Sequence, residues 1–206
     1  MNQVQGNKKL MDGYVGVKFR AIQCSEEVPP ETSGFYTLFK RICDRLKVHD
    51  MTPANAGNLS IRHRDGLIIT ASGSNLGNFE ENELIFVKKC RVEDELVLYH
   101  GPIKPSSESI MHWLIYKKRP ETEAIIHTHD EFATCSELLV GEIEESNREE
   151  PYGSVELANM AIEMFSRAEK IFVLKNHGYI AVGPDLNSTS DLVVDTHLRL
   201  LKKRGY

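Results

Sequence analysis

The chain has 206 residues, 41% of them hydrophobic, which suits one globular domain with its own core. Its net charge of −5, without a long basic tract, argues against a nucleic acid partner, and no apolar run approaches the roughly 18 residues of a membrane helix. The four cysteines form no C-x-x-C pair, which excludes a zinc knuckle, and the N-terminus lacks a secretory signal, which predicts a cytoplasmic protein.

The first 33 residues differ in pattern from the rest of the chain. They begin with a polar stretch, continue with the loosely alternating YVGVKFRAI (14–22), which is typical of a strand, and end in an acidic segment with two prolines. We therefore predict an N-terminal extension and linker over residues 1–33 and one folded domain over residues 34–206.

Helical and strand-like patterns then alternate along the domain. SGFYTLFKRICDRLKVHD has apolar residues at helical spacing and predicts a first helix, with Thr32 or Ser33 near its N-cap. LSIRHR and LIITAS flank a DG pair and predict a hairpin, and LIFVKKCRVEDELVLYHG predicts two further strands. PSSESIMHWLIYKKRP predicts a serine-capped helix that ends at Pro120.

The C-terminal half continues in the same way. AIIHTH predicts a buried strand, DEFATCSELLV a helix from Asp130, and SVELANMAIEMFSRA a helix with Ser154 at its cap. KIFVLKNHG and YIAVG predict a second hairpin, and the segment from Asp185 predicts the last helix. Helices placed between hairpins indicate an α/β layered fold with a largely antiparallel or mixed sheet. No G-x-G-x-x-G follows a strand, so we expect no nicotinamide cofactor.

Three histidines stand at the ends of predicted strands. His127 and His129 are two residues apart, so their side chains point to one face of a strand and both can reach one ion. An isolated H-x-H is also compatible with a strand end followed by a helix cap. His177, at the end of KIFVLKNHG, would complete the three-ligand set of a catalytic zinc if the two strand ends meet. The remaining histidines are interpreted as surface or partly packed residues, namely His49, His63, His100, His112 and His197.

Glu108 and three polar turns are the other candidates for chemistry. Glu108 precedes a helix, where it either complements the helix dipole or stands near a metal as an acid/base. The turns combine small residues with backbone N–H groups, as an oxyanion site requires, although ordinary turns have the same composition. Their candidate residues are Gly57, Asn58, Ser72, Gly73, Ser106 and Ser107.

Five segments follow one another along the chain: AGNLSIR, LIITASG, PSSESIMHWLIYKKRPETEAIIHTH, GSVELA and LKNHGYIAVG. In this order they resemble the class II (zinc-dependent) aldolase/adducin family, and within it the fuculose-phosphate-aldolase-like members. The resemblance covers residues 34–200 and implies a three-layer α/β/α sandwich with a mostly antiparallel central sheet. It also implies a homotetramer with active sites near subunit interfaces.

The resemblance further implies a site and a reaction. His127, His129 and His177 would bind one Zn²⁺ per subunit, another divalent ion being possible, and Glu108 would be the catalytic acid/base. The six turn residues named above would form the phosphate pocket. The implied reaction is reversible cleavage of a ketose phosphate, a small phosphorylated sugar, to dihydroxyacetone phosphate and an aldehyde, with zinc as the Lewis acid.

The chain departs from the family pattern after Val140. Fuculose-phosphate aldolases have a longer segment there, with a tyrosine that donates a proton across the subunit interface. Tyr152 is the substitute predicted here, and Tyr206 could instead act as a tyrosine of a mobile tail. The 1–33 extension is outside the family core and would add an edge strand or contact a neighbouring subunit.

Several related functions remain open at this point. Ribulose-phosphate 4-epimerases use the same metal site but tend to carry Asp where Glu108 stands, which favours an aldolase. Methylthioribulose-phosphate dehydratases keep a similar histidine set. A non-catalytic adducin-like binding module is the alternative of another class, and such domains lack the three histidines that this chain has.

Overall fold

The computed structural model describes residues 18–130 and 141–205 of the chain. Within those ranges, four α-helices accompany eight β-strands. The helices are α1 (Tyr36–Val48), α2 (Ser109–Lys118), α3 (Val155–Met164) and α4 (Leu186–Arg204). The strands are β1 (Arg20–Ser25), β2 (Asn58–His63), β3 (Gly66–Thr70), β4 (Leu84–Arg91), β5 (Leu96–His100), β6 (Ala124–Thr128), β7 (Ile171–Leu174) and β8 (Gly178–Gly183).

All eight strands form one sheet in the order β1-β5-β4-β3-β2-β6-β8-β7. The pairing of β1 with β5 is parallel and the other six pairings are antiparallel. The two predicted hairpins, β2–β3 and β7–β8, are both present. The prediction of a mostly antiparallel sheet is therefore confirmed.

Helices cover both faces of the sheet, because successive strand residues point to opposite sides. Ile125 packs with α2 and α3 in one apolar core, whereas its neighbour Ile126 packs with α1 and α4 in the other. Ile69 and Ile68 on β3 divide between the two cores in the same way. Two cores on opposite faces of one sheet confirm the predicted three-layer α/β/α arrangement.

The N-terminal segment contributes β1, which lies at an edge of the sheet. The strand begins later than the predicted residues 14–22, of which residues 14–17 lie outside the described ranges. Phe19, just before β1, is buried in the core beneath α2 and α3. The prediction of an edge strand is thus confirmed, while the division of the chain at residue 33 stays a prediction.

Helix starts follow the sequence in two places and depart from it in a third. Ser154 and Asp185 cap α3 and α4 through side-chain oxygens that accept backbone N–H groups, as predicted for Ser154. The predicted cap of the first helix at Thr32 or Ser33 is wrong. Residues Pro30–Phe35 form a 3₁₀ turn instead, with a proline at its first position, and α1 begins at Tyr36.

The helix predicted from Asp130 falls on residues 131–140, outside the described ranges. Among the helices that the structure describes, each is too short or too polar to cross a bilayer.

Candidate metal centre and active site

Antiparallel pairing brings the ends of two strands together at one edge of the sheet. The register places Thr128, the last residue of β6, opposite Tyr179 near the start of β8. His177 belongs to the three-residue turn that joins β7 to β8, where Asn176 has a positive φ of 54°. The end of β6 and the turn before β8 therefore meet, which sequence spacing alone could not establish.

The three histidine rings converge at this edge. Their ring centroids are 4.7, 4.9 and 4.8 Å apart for the pairs 127–129, 127–177 and 129–177. The Nε2 atoms of His127 and His129 are 2.8 Å apart, and one nitrogen from each ring lies within 4.8 Å of the others. Zinc–nitrogen bonds of about 2.0–2.1 Å need nitrogens roughly 3.3 Å apart in a tetrahedral site. Small side-chain shifts would bring the three rings to that spacing.

His127 is held in the tautomer that a metal ligand requires. Its ring is fully buried, and its Nδ1 donates a hydrogen bond of 2.8 Å to the carbonyl oxygen of Tyr179. Burial lowers the pKa of His127 to about 3, so the imidazole is neutral near neutral pH. The proton is on Nδ1 because a carbonyl only accepts hydrogen bonds. Nε2 therefore carries the lone pair, which faces His129 Nε2 at 2.8 Å.

Glu108 stands over the same centre. The residue is 3% exposed, and its carboxylate Oε2 lies 3.1 Å from His127 Nε2 and its Oε1 3.3 Å from His177 Nε2. The Asn58 side-chain amide donates to Oε2 at 2.8 Å. Glu108 occupies the N-cap position of α2, but its side chain makes no capping hydrogen bond there. The helix-cap interpretation of Glu108 therefore does not account for its position.

The space between the three histidines and Glu108 suits a cation better than an apolar or neutral group. The lone pair of His127 Nε2 faces a carboxylate oxygen at 3.1 Å, and two electron-rich atoms repel each other unless a positive charge lies near them. Neutral imidazole and carboxylate are ligands that zinc accepts. The three histidines thus satisfy the chemical requirements of a divalent-metal site, with Glu108 beside it.

The three polar turns lie along the same edge of the sheet. Asn58 pairs with His127 in the β2–β6 register, and Gly57 is so close that an added Cβ would lie 2.7 Å from the His127 carbonyl oxygen. The N–H of Leu59 donates to Thr70 Oγ1, which places the end of β3 beside the start of β2. These contacts bring Gly57 and Asn58 to the histidines.

The turns at Ser72 and Ser106 lie beside the end of β3, where backbone hydrogen bonds hold them. The N–H of Ser106 donates to Thr70 O, and the N–H of Ser72 donates to Lys104 O. The prediction that the N–H groups of Ser72 and Ser106 are available to an oxyanion is therefore wrong, because both are used in backbone bonds. The assignment of Ser72 and Ser106 to the phosphate pocket stays a prediction. Gly73 is exposed, with a positive φ of 77° and open space around it.

Tyr152 precedes a residue that packs against one of the polar turns. The next residue, Gly153, packs against Ser107, whose carbonyl oxygen would lie 2.9 Å from an added Cβ. The Tyr152 ring lies under the Lys18 ammonium, 4.6 Å from the ring centroid, and packs against the core beneath α2 and α3. Its assignment as the proton donor stays a prediction. Tyr206 lies outside the described residues.

Two histidines that sequence analysis assigned to the surface or to partial packing are buried. His112 is fully buried on α2, where its Nδ1 lies 2.7 Å from Ser60 Oγ. His197 is buried on α4, and its Nδ1 lies 2.6 Å from the carboxylate of Asp130, the residue after His129. The four-residue spacing from Glu108 to His112, which puts both on one helix face, was the available signal for His112.

Comparison with known proteins identifies the family. The model of the class II aldolase and adducin N-terminal domain matches residues 39–197. This chain belongs to the class II aldolase and adducin family. The relatives found are class II aldolase-type enzymes. The family uses a divalent metal, and the three histidines described above are a group able to hold one.

Several curated class II aldolase relatives cover most of the chain. L-fuculose phosphate aldolase of Methanocaldococcus jannaschii is 32% identical over 163 residues, 72% of this chain and 83% of the relative. The 5-methylthioribulose-1-phosphate/5-deoxyribulose-1-phosphate aldolase of Rhodospirillum rubrum is 31% identical over 70% of this chain and 69% of its own length. A 3-oxo-tetronate 4-phosphate decarboxylase of Haemophilus influenzae is 32% identical over 68% of this chain and 72% of its own length.

Solved structures of class II aldolases share the fold. An L-fuculose 1-phosphate aldolase superposes with a TM-score of 0.68 at 23% identity, covering 88% of this chain and 91% of the other. A sugar-phosphate aldolase from Thermotoga maritima gives a TM-score of 0.68 at 22% identity, and the match covers 85% of this chain and 97% of the other.

Proposed function

We propose that this protein is a zinc-dependent aldolase that reversibly cleaves a ketose 1-phosphate to dihydroxyacetone phosphate and an aldehyde. The observation that carries the proposal is the placement of the Glu108 carboxylate within 3.3 Å of two of three converging histidines. The names of two relatives, both aldolases of ketose phosphates, support the same class of substrate.

His127, His129 and His177 would hold the metal, which when bound supplies a Lewis acid for the negative charge that develops on the three-carbon fragment. Glu108 transfers the proton at the carbon that separates from the aldehyde. In cleavage, the carbon–carbon bond breaks, and the hydroxyl proton of the carbon that becomes the aldehyde passes by way of Tyr152 to solvent. The Glu108 carboxyl, protonated beforehand, gives its proton to the three-carbon fragment and becomes the carboxylate. In synthesis, Glu108 removes that proton.

The phosphate would bind at the polar turns of the same edge. The hydroxyls of Ser72, Ser106 and Ser107 and the backbone around Gly57 and Gly73 are the groups assigned to it. Asn58 has a second role, because its amide already donates to Glu108 and so holds the carboxylate over the histidines. Tyr152 is proposed as the group that moves the proton on the aldehyde side.

A decarboxylase is the second candidate, because one relative is a 3-oxo-tetronate 4-phosphate decarboxylase at 32% identity. Decarboxylation of a 3-oxo acid also breaks a carbon–carbon bond next to a carbonyl and leaves a carbanion to be protonated. The same Glu108 would serve both reactions. The two candidates differ in the fragment that leaves, an aldehyde in one and carbon dioxide in the other.

A substrate panel separates the candidates. Zinc-loaded protein is incubated with L-fuculose 1-phosphate, 5-deoxyribulose 1-phosphate, 5-methylthioribulose 1-phosphate and 3-oxo-tetronate 4-phosphate. Dihydroxyacetone phosphate and carbon dioxide are measured in parallel. We expect dihydroxyacetone phosphate from at least one ketose phosphate. Carbon dioxide alone would favour the decarboxylase, and the absence of both products from fully loaded protein would reject the lyase assignment.

The proposal includes a homotetramer with active sites near subunit interfaces, as the family resemblance implies. Light scattering coupled to size-exclusion chromatography measures the assembly directly. A monomer that turns over substrate at the same specific rate at every concentration would contradict this part of the proposal.

A further inference from the structure

A line of buried polar contacts joins helix α2 to strand β2. Starting at the histidine centre, Asn58 contacts Glu108, Ser60 contacts both His112 and Tyr116, and Arg62 contacts Tyr116. We call this set the α2–β2 polar seam. Its members are Asn58, Ser60 and Arg62 on β2 and Glu108, His112 and Tyr116 on α2.

The spacing of the seam follows from the geometry of its two elements. Glu108, His112 and Tyr116 are four residues apart and so lie on one face of α2, advancing about 6 Å per step. Residues 58, 60 and 62 are two apart and lie on one face of β2, advancing about 6.7 Å per step. The two repeats nearly match, so each polar residue of the helix meets one of the strand.

The contacts of Ser60 with His112 and Tyr116 are short and buried. Ser60 Oγ lies 2.7 Å from His112 Nδ1 and 2.8 Å from the Tyr116 hydroxyl, and both Ser60 and His112 are fully buried. At the far end, an Arg62 Nη2 donates to the Tyr116 carbonyl at 2.9 Å while the guanidinium lies 4.9 Å from the ring. A shift of α2 by one residue would break every one of these contacts.

His112 is an expensive residue to bury for packing alone. Its Nε2 is buried without a hydrogen-bond partner among the described residues, and a buried polar group left unpaired lowers stability. Burial also lowers its pKa to about 3, so the ring is neutral. A leucine at this position would fill similar space without that cost, so the structure favours a role for the contact between His112 and Ser60.

We propose that His112 is a positioning residue, which through Ser60 and Tyr116 fixes the register of α2 on β2 and thereby places Glu108 over the three histidines. Buried polar contacts specify register because the alternatives leave polar atoms unpaired. A displacement of about 1 Å at a reacting group costs up to about 100-fold in rate. The catalytic part of this inference rests on the proposed function of Glu108, while the positional part does not.

Two variants and a matched control test the inference. His112→Leu removes the contact with Ser60, and His112→Asn keeps it, because the Asn side-chain amide occupies the place of Nδ1. His100→Leu is the control, since His100 on β5 also has a buried Nε2 without a described partner but is not part of the seam. Crystal structures of the zinc-loaded proteins locate Glu108, and steady-state kinetics measure turnover.

In His112→Leu we expect the Glu108 carboxylate to move by about 1 Å and kcat to fall at least about 10-fold, with KM and zinc content little changed. In His112→Asn and His100→Leu the Glu108 carboxylate should keep its wild-type position, and kcat should stay within about threefold of the wild-type value. In a Glu108→Gln background, His112→Leu should have almost no further effect on kcat, because it acts through Glu108. If His112 had a purely structural role, His112→Leu would lower kcat by the same factor in the wild-type and the Glu108→Gln proteins.

The inference is overturned if Glu108 keeps its position in His112→Leu, or if kcat is unchanged while the carboxylate moves. If the wild-type protein shows no turnover on any substrate, the proposed function fails. The crystal structures still decide whether His112 positions Glu108, so the two failures are distinguishable.

Discussion

The Oε2 atom of Glu108 lies 3.1 Å from Nε2 of His127 inside a buried edge of the sheet. The opposite nitrogen of the same imidazole donates to a backbone carbonyl, so the two facing atoms are both electron-rich. If the three histidines held a metal, a carboxylate in this position would stand close enough to exchange a proton with a substrate bound there.

Replacement of Glu108 by Gln should separate proton transfer from binding. The amide keeps the size and can accept the hydrogen bond from Asn58, but it cannot carry the proton. We expect kcat to fall by about 10²–10⁴-fold with KM changed by less than about threefold. Steady-state kinetics on the best substrate of the panel measure both. A variant with near wild-type kcat would remove Glu108 from the acid/base role.

Replacement of His177 by Ala should remove the third side chain of the candidate metal centre. We expect the affinity for zinc to fall by at least about 100-fold, because two histidines at one strand end rarely hold the ion alone. Isothermal titration of the apo-protein with Zn²⁺ measures the loss, and His63→Ala, whose ring pairs with Glu31 away from the site, is the control. Unchanged affinity in His177→Ala would show that the metal is bound elsewhere.

The helical and strand-like spacing of apolar residues predicted most of the fold, because each helix or strand is marked by its own residues and by the turn or cap residues beside it. The hairpins at Asp65 and Asn176 and the cap at Ser154 are decided by neighbouring residues, and the structure shows all three. The first helix cap was wrong because Pro30 starts a 3₁₀ turn that displaces the helix start by several residues.

The sequence predicted only part of the candidate site. Strand periodicity places His127 and His129 on one face. The approach of His177 depends instead on the pairing of β6 with β8, which are separated by 49 residues. The burial of His112 was missed because α2 is buried on nearly every side, so its polar positions do not mark the solvent face. The occupied N–H groups of Ser72 and Ser106 likewise depend on contacts between distant segments.

Gly178 should be intolerant of any side chain. An added Cβ would lie 2.1 Å from the carbonyl oxygen of Thr128 and 3.3 Å from His127 Cε1, so β6 and β8 would have to separate beside the histidines. We expect Gly178→Ala to lower the free energy of unfolding by at least about 2 kcal/mol and to weaken metal binding.

Gly34 provides the matched control for this substitution. An added Cβ there meets nothing within 4 Å, so Gly34→Ala should change stability by less than about 0.5 kcal/mol. Urea unfolding of the metal-free proteins compares the two variants with the wild type. Equal stabilities of both variants would contradict the close approach of β8 to Thr128.

The pH dependence of stability should contain a contribution from the buried His112. Burial lowers the pKa of this histidine from its ordinary value of 6.5 to about 3 in the folded protein. As the pH falls below about 6.5, the unfolded chain binds a proton that the folded protein does not. The folded state therefore has its full stability above pH 6.5 and loses it as the pH falls toward 3, by about 1.4 kcal/mol per pH unit.

His127 adds a slope of the same sign in metal-free protein, since burial also lowers its pKa to about 3. His112→Leu should therefore flatten, without abolishing, the fall in unfolding free energy between about pH 6 and pH 4, by about 1.4 kcal/mol per pH unit. Urea unfolding at several pH values in chelator measures both curves. Leu114→Ala, a truncation on the same helix that removes no titratable group, should shift the curve without changing its slope. Parallel curves for His112→Leu and the wild type would mean that His112 takes up its proton equally in both states.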